Sequence, residues 1–267
     1  MAGEQVKLTR QGSLAVITLN RPEARNALSP EMTTELADAI RSCRGSDVRS
    51  VVLTGSGGAF CSGADVKGFA GQLEEGGPEG LAGHLREVAG AFHRDVILGL
   101  RQLDKPVIAA IDGVAAGGGF SLMLACDLRI ASGNARFLMA YAGIGATADG
   151  GSTYMLPRLV GHGRATELYL AAQPLSAQAA LEMGLINQVC PAEELDRHAL
   201  ETATRLSQGP TVAYGRVKAL FDASWDASLE EQLEAETDAI SNSGLTGDFQ
   251  EGVRAFTGKR RPWFQGK

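Results

Sequence analysis

Paired cysteines are missing from this 267-residue chain: Cys43, Cys61, Cys126 and Cys190 lie far apart with no CxxC, so neither a zinc ribbon nor a redox pair is encoded. Ligand spacing is missing too. His84, His93, His162 and His198 form no HExxH or similar pair, and no metal site is expected. There is no basic surplus: the formal net charge is -6, which argues against a nucleic-acid partner, because neutralising phosphates takes an excess of Lys and Arg. Any anionic ligand must find a local basic patch. No apolar run is long enough to span a bilayer, so no membrane partner is expected. The start, MAGEQVKLTRQGS, has neither an apolar signal core nor an Arg-rich presequence. The expectation is a cytoplasmic protein with reduced thiols. Aromatics are scarce at 6%, yet hydrophobic residues reach 44% with 21% charged, the balance of a globular chain with a substantial core.

What is present alternates between strand and helix patterns. Val6 to Asn20 alternates and breaks at Gln11-Gly12, a hairpin with one buried face. In "RPEARNALSP", Pro22 and Pro30 break structure, with Ser29 as N-cap and Pro30 at the first position of a helix whose apolar stripe is Leu36, Ile40 and Cys43. "VRSVVLTG" and "KPVIAAIDG" read as buried strands ending in glycine. Between them Phe92, Val96, Ile97, Leu100 and Leu103 mark a helix, with His93 an ordinary member of it or part of a lid. Gly71 to Leu81, "GQLEEGGPEGL", reads as a mobile polar insert. Then follow a helix "FSLMLACD", a strand "LRIASGNARFLMA", a helix through Ala165 to Ala172, and one at "SAQAALEMGL" capped by Ser176. The class is α/β. Gly209-Pro210 divides a core, residues 1–208, from a helical segment, 209–267. Leu229, Leu233 and Ile240, then Phe249, Val253 and Phe256, give stripes that must fold back or dock on a neighbouring subunit.

Two Gly-rich corners carry the strongest chemical signal. In "GVAAGGGFSLMLACD", Gly117 to Gly119 lie between a buried strand and a helix, so free backbone N–H groups at the helix start face whatever lies above. "GGAFCSGADVK", Gly57 to Lys67, also follows a strand and can bring a second N–H to the same point. Two such donors on one oxygen would stabilise an enolate. A third stretch, "GIGATADGGSTYMLPRLVG", holds one carboxylate, Asp149, in an otherwise uncharged run up to Arg158. Gly143 to Ala148 formally fits GxGxxA, but the acid that should follow, Glu167, falls in a helix, so close packing is the reading there. Asp149 reads either as a helix N-cap or as an acid/base group.

Six strings in order, "RPEARNAL", "GGAFCSGADVK", "KPVIAAIDGVAAGGG", "IGATADGGSTYMLPRLVG", "LSAQAALEMGLINQV" and "DFQEGVRAFTGKRRPWF", resemble the crotonase (enoyl-CoA hydratase/isomerase) superfamily over essentially the whole chain. The resemblance implies a spiral of ββα units, a helical trimerisation tail and a homotrimer or dimer of trimers. It also implies an acyl-CoA thioester substrate and no separate cofactor, CoA being part of the substrate. Carried over by motif, the oxyanion donors are the amides of Ala64 and Gly118, with Gly117 beside them. Arg25, Ala27 and Leu28, together with Asp65, Val66 and Lys67, would line the CoA site. Phe256 and Lys259, the latter in the basic cluster with Arg260 and Arg261, would approach the CoA of a neighbouring subunit.

Hydratases of the family are expected to use two glutamates, and the corresponding positions hold Ser121 and Tyr141, the latter then a lining residue. The motif around Asp149 resembles the ring-1,2-epoxyphenylacetyl-CoA isomerase and Δ3,Δ2-enoyl-CoA isomerase branch, where the aspartate is the base. The expectation is an isomerase in which glycines admit the acyl chain and Asp149 moves its proton. Rival readings are an enoyl-CoA hydratase by family, a non-catalytic acyl-CoA-binding protein, and an aryl-CoA dehalogenase with Asp149 as nucleophile. That last chemistry is expected to want a Trp where Tyr141 stands, and a His where Arg94 stands, one place from His93.

Overall fold

The computed structural model describes residues 4–267; residues 1–3, part of the start read for a targeting signal, lie outside the described residues. The strands are β1 (Val6–Gln11), β2 (Leu14–Leu19), β3 (Ser50–Gly55), β4 (Val107–Ile111), β5 (Val114–Ala116), β6 (Leu128–Ser132), β7 (Arg136–Leu138), β8 (Leu175–Ser176) and β9 (Gln188–Cys190). The helices are α1 (Pro30–Ser42), α2 (Val66–Ala91), α3 (Leu98–Arg101), α4 (Gly118–Leu124), α5 (Ser152–Val160), α6 (His162–Ala171), α7 (Ala177–Glu182), α8 (Leu195–Ser207), α9 (Thr211–Ala223), α10 (Leu229–Ser243) and α11 (Gly247–Thr257).

β1 and β2 form the expected hairpin, and β2, β3, β4, β6 and β9 continue it as parallel neighbours in a six-stranded sheet. β5, β7 and β8 make a second, smaller sheet. Both faces of the large sheet are buried, which is why its strands read as apolar runs rather than alternations. Val51, Leu53, Ala109 and Ile111 share one core with Met32, Leu36 and Ile40 of α1. Val52, Ile108, Ala110 and Ile130 share the other with Leu195, Ala199 and Ala203 of α8. Each fully buried Leu or Ile contributes about 1.5–3 kcal/mol, so this two-sided burial is the main source of rigidity beneath the loops above. The helix starts follow the expected capping: Ser29 Oγ accepts the Met32 N–H at 3.1 Å with Pro30 in the first turn, and Ser176 Oγ accepts that of Ala179 at 3.2 Å.

Three expectations need correction. The polar insert at Gly71 to Leu81 is helical, part of α2, with one break at Gly77 (φ 62°) just before Pro78. Leu73, Glu74, Glu75 and Glu79 favour helix on either side, and glycine followed by proline permits one helix to stop and the next to begin. No side chain of α2 is buried, so composition resembled a loop while the backbone is regular. The single strand expected at "LRIASGNARFLMA" is two, β6 and β7, which belong to different sheets because the chain turns at Gly133-Asn134. The helix expected from Phe92 begins as a π-helical turn, Phe92–Ile97, before α3.

The C-terminal helices are tied to the sheet layers at their start. Arg49 donates to the Gly209 and Phe264 carbonyls and to Thr211 Oγ1, and Lys218 Nζ lies 2.9 Å from Asp127. Their outer faces leave Leu229, Leu233, Ile240 and Phe249 exposed. No helix among the described residues is long and apolar enough to cross a membrane. All four cysteines are free and buried, and burial pushes the Cys61 and Cys126 thiols up to about 12, so none is poised as a nucleophile.

Candidate active site

The two Gly-rich corners meet backbone to backbone. Cys61, in the loop after β3, pairs with β5: its N–H donates to the Val114 carbonyl at 2.9 Å and its carbonyl accepts the Ala116 N–H at 2.9 Å. Gly117 (φ 50°) then turns the chain into α4. The approach leaves no room for side chains: a methyl group on Gly119 would lie 2.7 Å from Cys61 Cβ, and one on Gly63 only 2.8 Å from the Ala116 carbonyl oxygen. The amides of Ala64 and Gly118 are thereby neighbours, since a methyl on Gly118 would sit 3.8 Å from Ala64 N and one on Gly63 3.2 Å from Gly118 N. Among the described residues the Ala64 N–H has no backbone acceptor, and Gly118, opening α4, has none within its helix. Two neighbouring free backbone donors, one of them opening α4, suit an anionic oxygen.

The loop at Arg25 to Leu28 is laced to the same corner. Leu28 N–H donates to Gly63 O at 2.7 Å, Asp65 N–H to Leu28 O at 3.2 Å, and Ser62 N–H to Arg25 O at 3.0 Å. Arg21 spans the Ala27 carbonyl (2.7 Å) and the Asp65 carboxylate (3.2 Å). Arg25, Ala27, Leu28, Asp65, Val66 and Lys67 therefore form one lip beside Ala64, with Arg25, Val66 and Lys67 open to solvent. Asn26 braces it from below. It is fully buried at φ 56°, accepts the Arg21 N–H at 2.8 Å, and donates to the Ser56 and Ala59 carbonyls at 3.0 and 2.7 Å. Asn26→Ala leaves those groups unpaired in a left-handed conformation alanine disfavours, and should cost about 3 kcal/mol. Thermal unfolding should show the midpoint falling by about 5 °C.

Asp149 stands over α4. Its carbonyl accepts from Ser121 Oγ and Ser152 Oγ, both at 2.8 Å. The N-cap of α5 is Gly151, with no side-chain capping bond, so the cap reading of Asp149 is set aside. Gly150 (φ 59°) and Gly151 (φ 74°) have a packing role: a methyl on Gly150 would lie 2.6 Å from Ser121 Cβ and 2.9 Å from Phe92 Cε1. Gly150 thereby lets the loop lie flat on α4, while a methyl on Gly151 would meet Met155 Cε at 3.1 Å and Ile97 Cγ2 at 3.7 Å. Ser121 is one turn beyond Gly118, a rise of roughly 5 Å, so the carboxylate and the free amides belong to one locality.

The carboxylate has two unlike oxygens. Tyr141 Oη donates to Oδ1 at 2.8 Å and is itself 2.7 Å from the buried Ser121 Oγ. Burial, then the Asp149 charge, raises the Tyr141 phenol far above its ordinary value, so it stays a donor. Tyr141, expected as a lining residue, is thus buried and orients Asp149. Oδ2 faces His93 Nε2 at 3.6 Å. That nitrogen also accepts the Gly150 N–H at 3.0 Å. His93 is not an ordinary helix residue: the π-helical turn buries Phe92, Val96 and Ile97 and presents His93 to Asp149. Only its nearness to the dehalogenase position marked it in the sequence. Among the described residues no cluster of three His, Cys, Asp or Glu could hold a metal.

Phe256 and Lys259 stand apart. Phe256 ends α11 at 87% exposure, on the rim of an apolar cavity of about 360 Å³ with Val212, Phe249, Val253 and Phe264. Of the basic cluster, Arg260 is paired with Glu251.

Residues 9–267 match the profile of a family described as enoyl-CoA hydratase/isomerase. The chain belongs to the enoyl-CoA hydratase/isomerase family. Within this crotonase superfamily it is 41% identical over 254 residues to a protein of Rhodobacter capsulatus named a probable enoyl-CoA hydratase, covering 95% of each chain. It is 38% identical to the 1,2-epoxyphenylacetyl-CoA isomerase of Escherichia coli over 252 residues, 94% of each. The crystal structure of an enoyl-CoA hydratase from Polaromonas sp. JS666 superposes with a TM-score of 0.90 at 35% identity, over 97% of this chain and 99% of that one. The fold is the crotonase fold, and the family acts on acyl-CoA thioesters. Both hydratase and isomerase names occur among these relatives.

Proposed function

We propose that this chain is an acyl-CoA isomerase that shifts a double bond, in an enoyl-CoA or a ring-epoxide acyl-CoA, through an enolate held by the amides of Ala64 and Gly118. The observation that carries the reading is the company of Asp149: Ser121 and Tyr141 stand where a hydratase would place glutamates, and they bond to each other and to Asp149. Hydration needs one group to activate water and another to protonate carbon, whereas a proton shift needs one carboxylate. Asp149 removes the proton α to the thioester carbonyl, charge moves onto the oxygen facing the two amides, and the proton returns two carbons along. Tyr141 holds Oδ1, and among the described residues Oδ2 receives no hydrogen bond and is the oxygen left for the substrate proton.

The lip from Arg25 to Leu28 and Asp65 to Lys67 would hold the CoA, and no separate cofactor enters. Phe256 and Lys259 would serve a neighbouring subunit's CoA. The exposed stripes on 209–267 support self-association as a trimer or dimer of trimers about residues 1–208, and the buried free thiols suit a cytoplasmic setting. Incubation with trans-3-enoyl-CoA should give trans-2-enoyl-CoA faster than trans-2-enoyl-CoA is hydrated, followed by chromatography of the thioesters; dominant hydration would refute the proposal. A second reading has one observation in its favour, His93 beside Asp149, which fits a nucleophilic carboxylate with a base for water. Chloride release from a chlorobenzoyl-CoA would support it.

A further inference from the structure

The neighbour of Asp149 on the π-helical turn has no part in a single-carboxylate proton shift. Yet its ring touches the reactive oxygen and the solvent at once: the His93 side chain is 43% exposed, and that of Asp149 37%. Resting on the isomerase reading, we infer that His93 is a relay through which the proton held by Asp149 exchanges with water. His93 acts through Asp149 and not on the substrate.

The geometry carries three parts of this inference. Tyr141 occupies Oδ1, so an abstracted proton resides on Oδ2, the oxygen 3.6 Å from Nε2. Nε2 is a lone-pair acceptor in the resting site, shown by the Gly150 N–H that it receives at 3.0 Å. The adjacent charges are already engaged with each other, Arg94 Nη2 lying 3.3 Å from Asp95 Oδ2, so neither competes for the ring. Tyr141 cannot serve instead, because its buried phenol is held protonated.

The steps balance. The α C–H bond breaks, an Oδ2–H bond forms, and the electron pair moves to the thioester oxygen. A small approach then lets Oδ2–H break as Nε2–H forms; the Gly150 amide is released and the ring becomes an imidazolium beside the restored carboxylate. Water takes a proton from this ring and solvent returns one. The reverse path reloads Oδ2, which protonates the γ-carbon as the enolate collapses to the conjugated thioester.

The test is isomerisation of trans-3-enoyl-CoA in D₂O at low conversion, with γ-carbon deuterium per product molecule read by mass spectrometry. His93→Gln is the informative variant, because its amide oxygen can still receive the Gly150 N–H but cannot carry a proton. Deuterium per product should be high in the wild type and lost in His93→Gln. The ratio decides, since a general fall in rate leaves it unmoved; circular dichroism checks folding, and His93→Asn gives a second variant of the same kind. Equal labelling in wild type and variants overturns the relay, as water then reaches Asp149 directly. Isomerisation without label in the wild type also overturns it, leaving the isomerase reading intact. No isomerisation by the wild type overturns both.

Discussion

Asp149→Asn should lower kcat for isomerisation by about 10³-fold while KM stays within a few-fold. Asparagine is nearly isosteric, and its carbonyl oxygen can receive the Tyr141 hydroxyl that Oδ1 receives at 2.8 Å. The loop should also stay in place, because it is anchored through the Asp149 carbonyl by Ser121 and Ser152, and Gly150 still lies against Ser121 of α4. What is lost is the capacity to accept a proton from carbon. A residual rate from enolate stabilisation by the two amides is expected. Thermal unfolding of the variant should match that of the wild type, and steady-state assays with trans-3-enoyl-CoA give both constants. Isomerisation retained at the wild-type rate would remove Asp149 from the chemistry.

Gly119→Ala is expected to be nearly as damaging without touching a reacting group. On helix propensity alone alanine should stabilise the turn by about 1 kcal/mol. The structure reverses that sign: the new methyl would sit 2.7 Å from Cys61 Cβ and 2.8 Å from the Cys61 carbonyl carbon, and this is largely backbone that cannot swing away. The two corners must part by about 1 Å, a misplacement of the amides that can cost 10²-fold in kcat, with about 1–3 kcal/mol of stability lost to overpacking. Gly118→Ala is the control. Its methyl would meet Leu28 Cδ1 at 3.2 Å, the flexible end of a side chain, and should cost only a few-fold. Measured kcat values falling in the opposite order would refute the account of the junction.

Much of this is legible in the sequence. Ser29-Pro30 and Ser176 announce helix starts because capping is local, and the apolar runs of β3 and β4 announce buried strands because both sheet faces are covered. The glycine corners could be read because a strand, a turn and a helix follow one another within a few residues. Properties that depend on distant parts were hidden. Gly150 owes its identity to Phe92 and Ser121, contacts far away in sequence. His93 gains its place from a π-helical turn set by the packing of Phe92, Val96 and Ile97, which helical periodicity does not encode. Tyr141 looked like a wall because its bond to Asp149 exists only once the loop is laid on α4. α2 was concealed by composition, since its glycines outweighed its helix formers.

The junction at Cys61 also inverts the usual relation between importance and tolerance to change. An amide N–H is common to every amino acid except proline, so the positions that would grip the substrate's oxygen, Ala64 above all, are free to vary in side chain. The steric demand falls on their neighbours Gly63 and Gly119, where an added methyl would meet the facing backbone at Ala116 and Cys61.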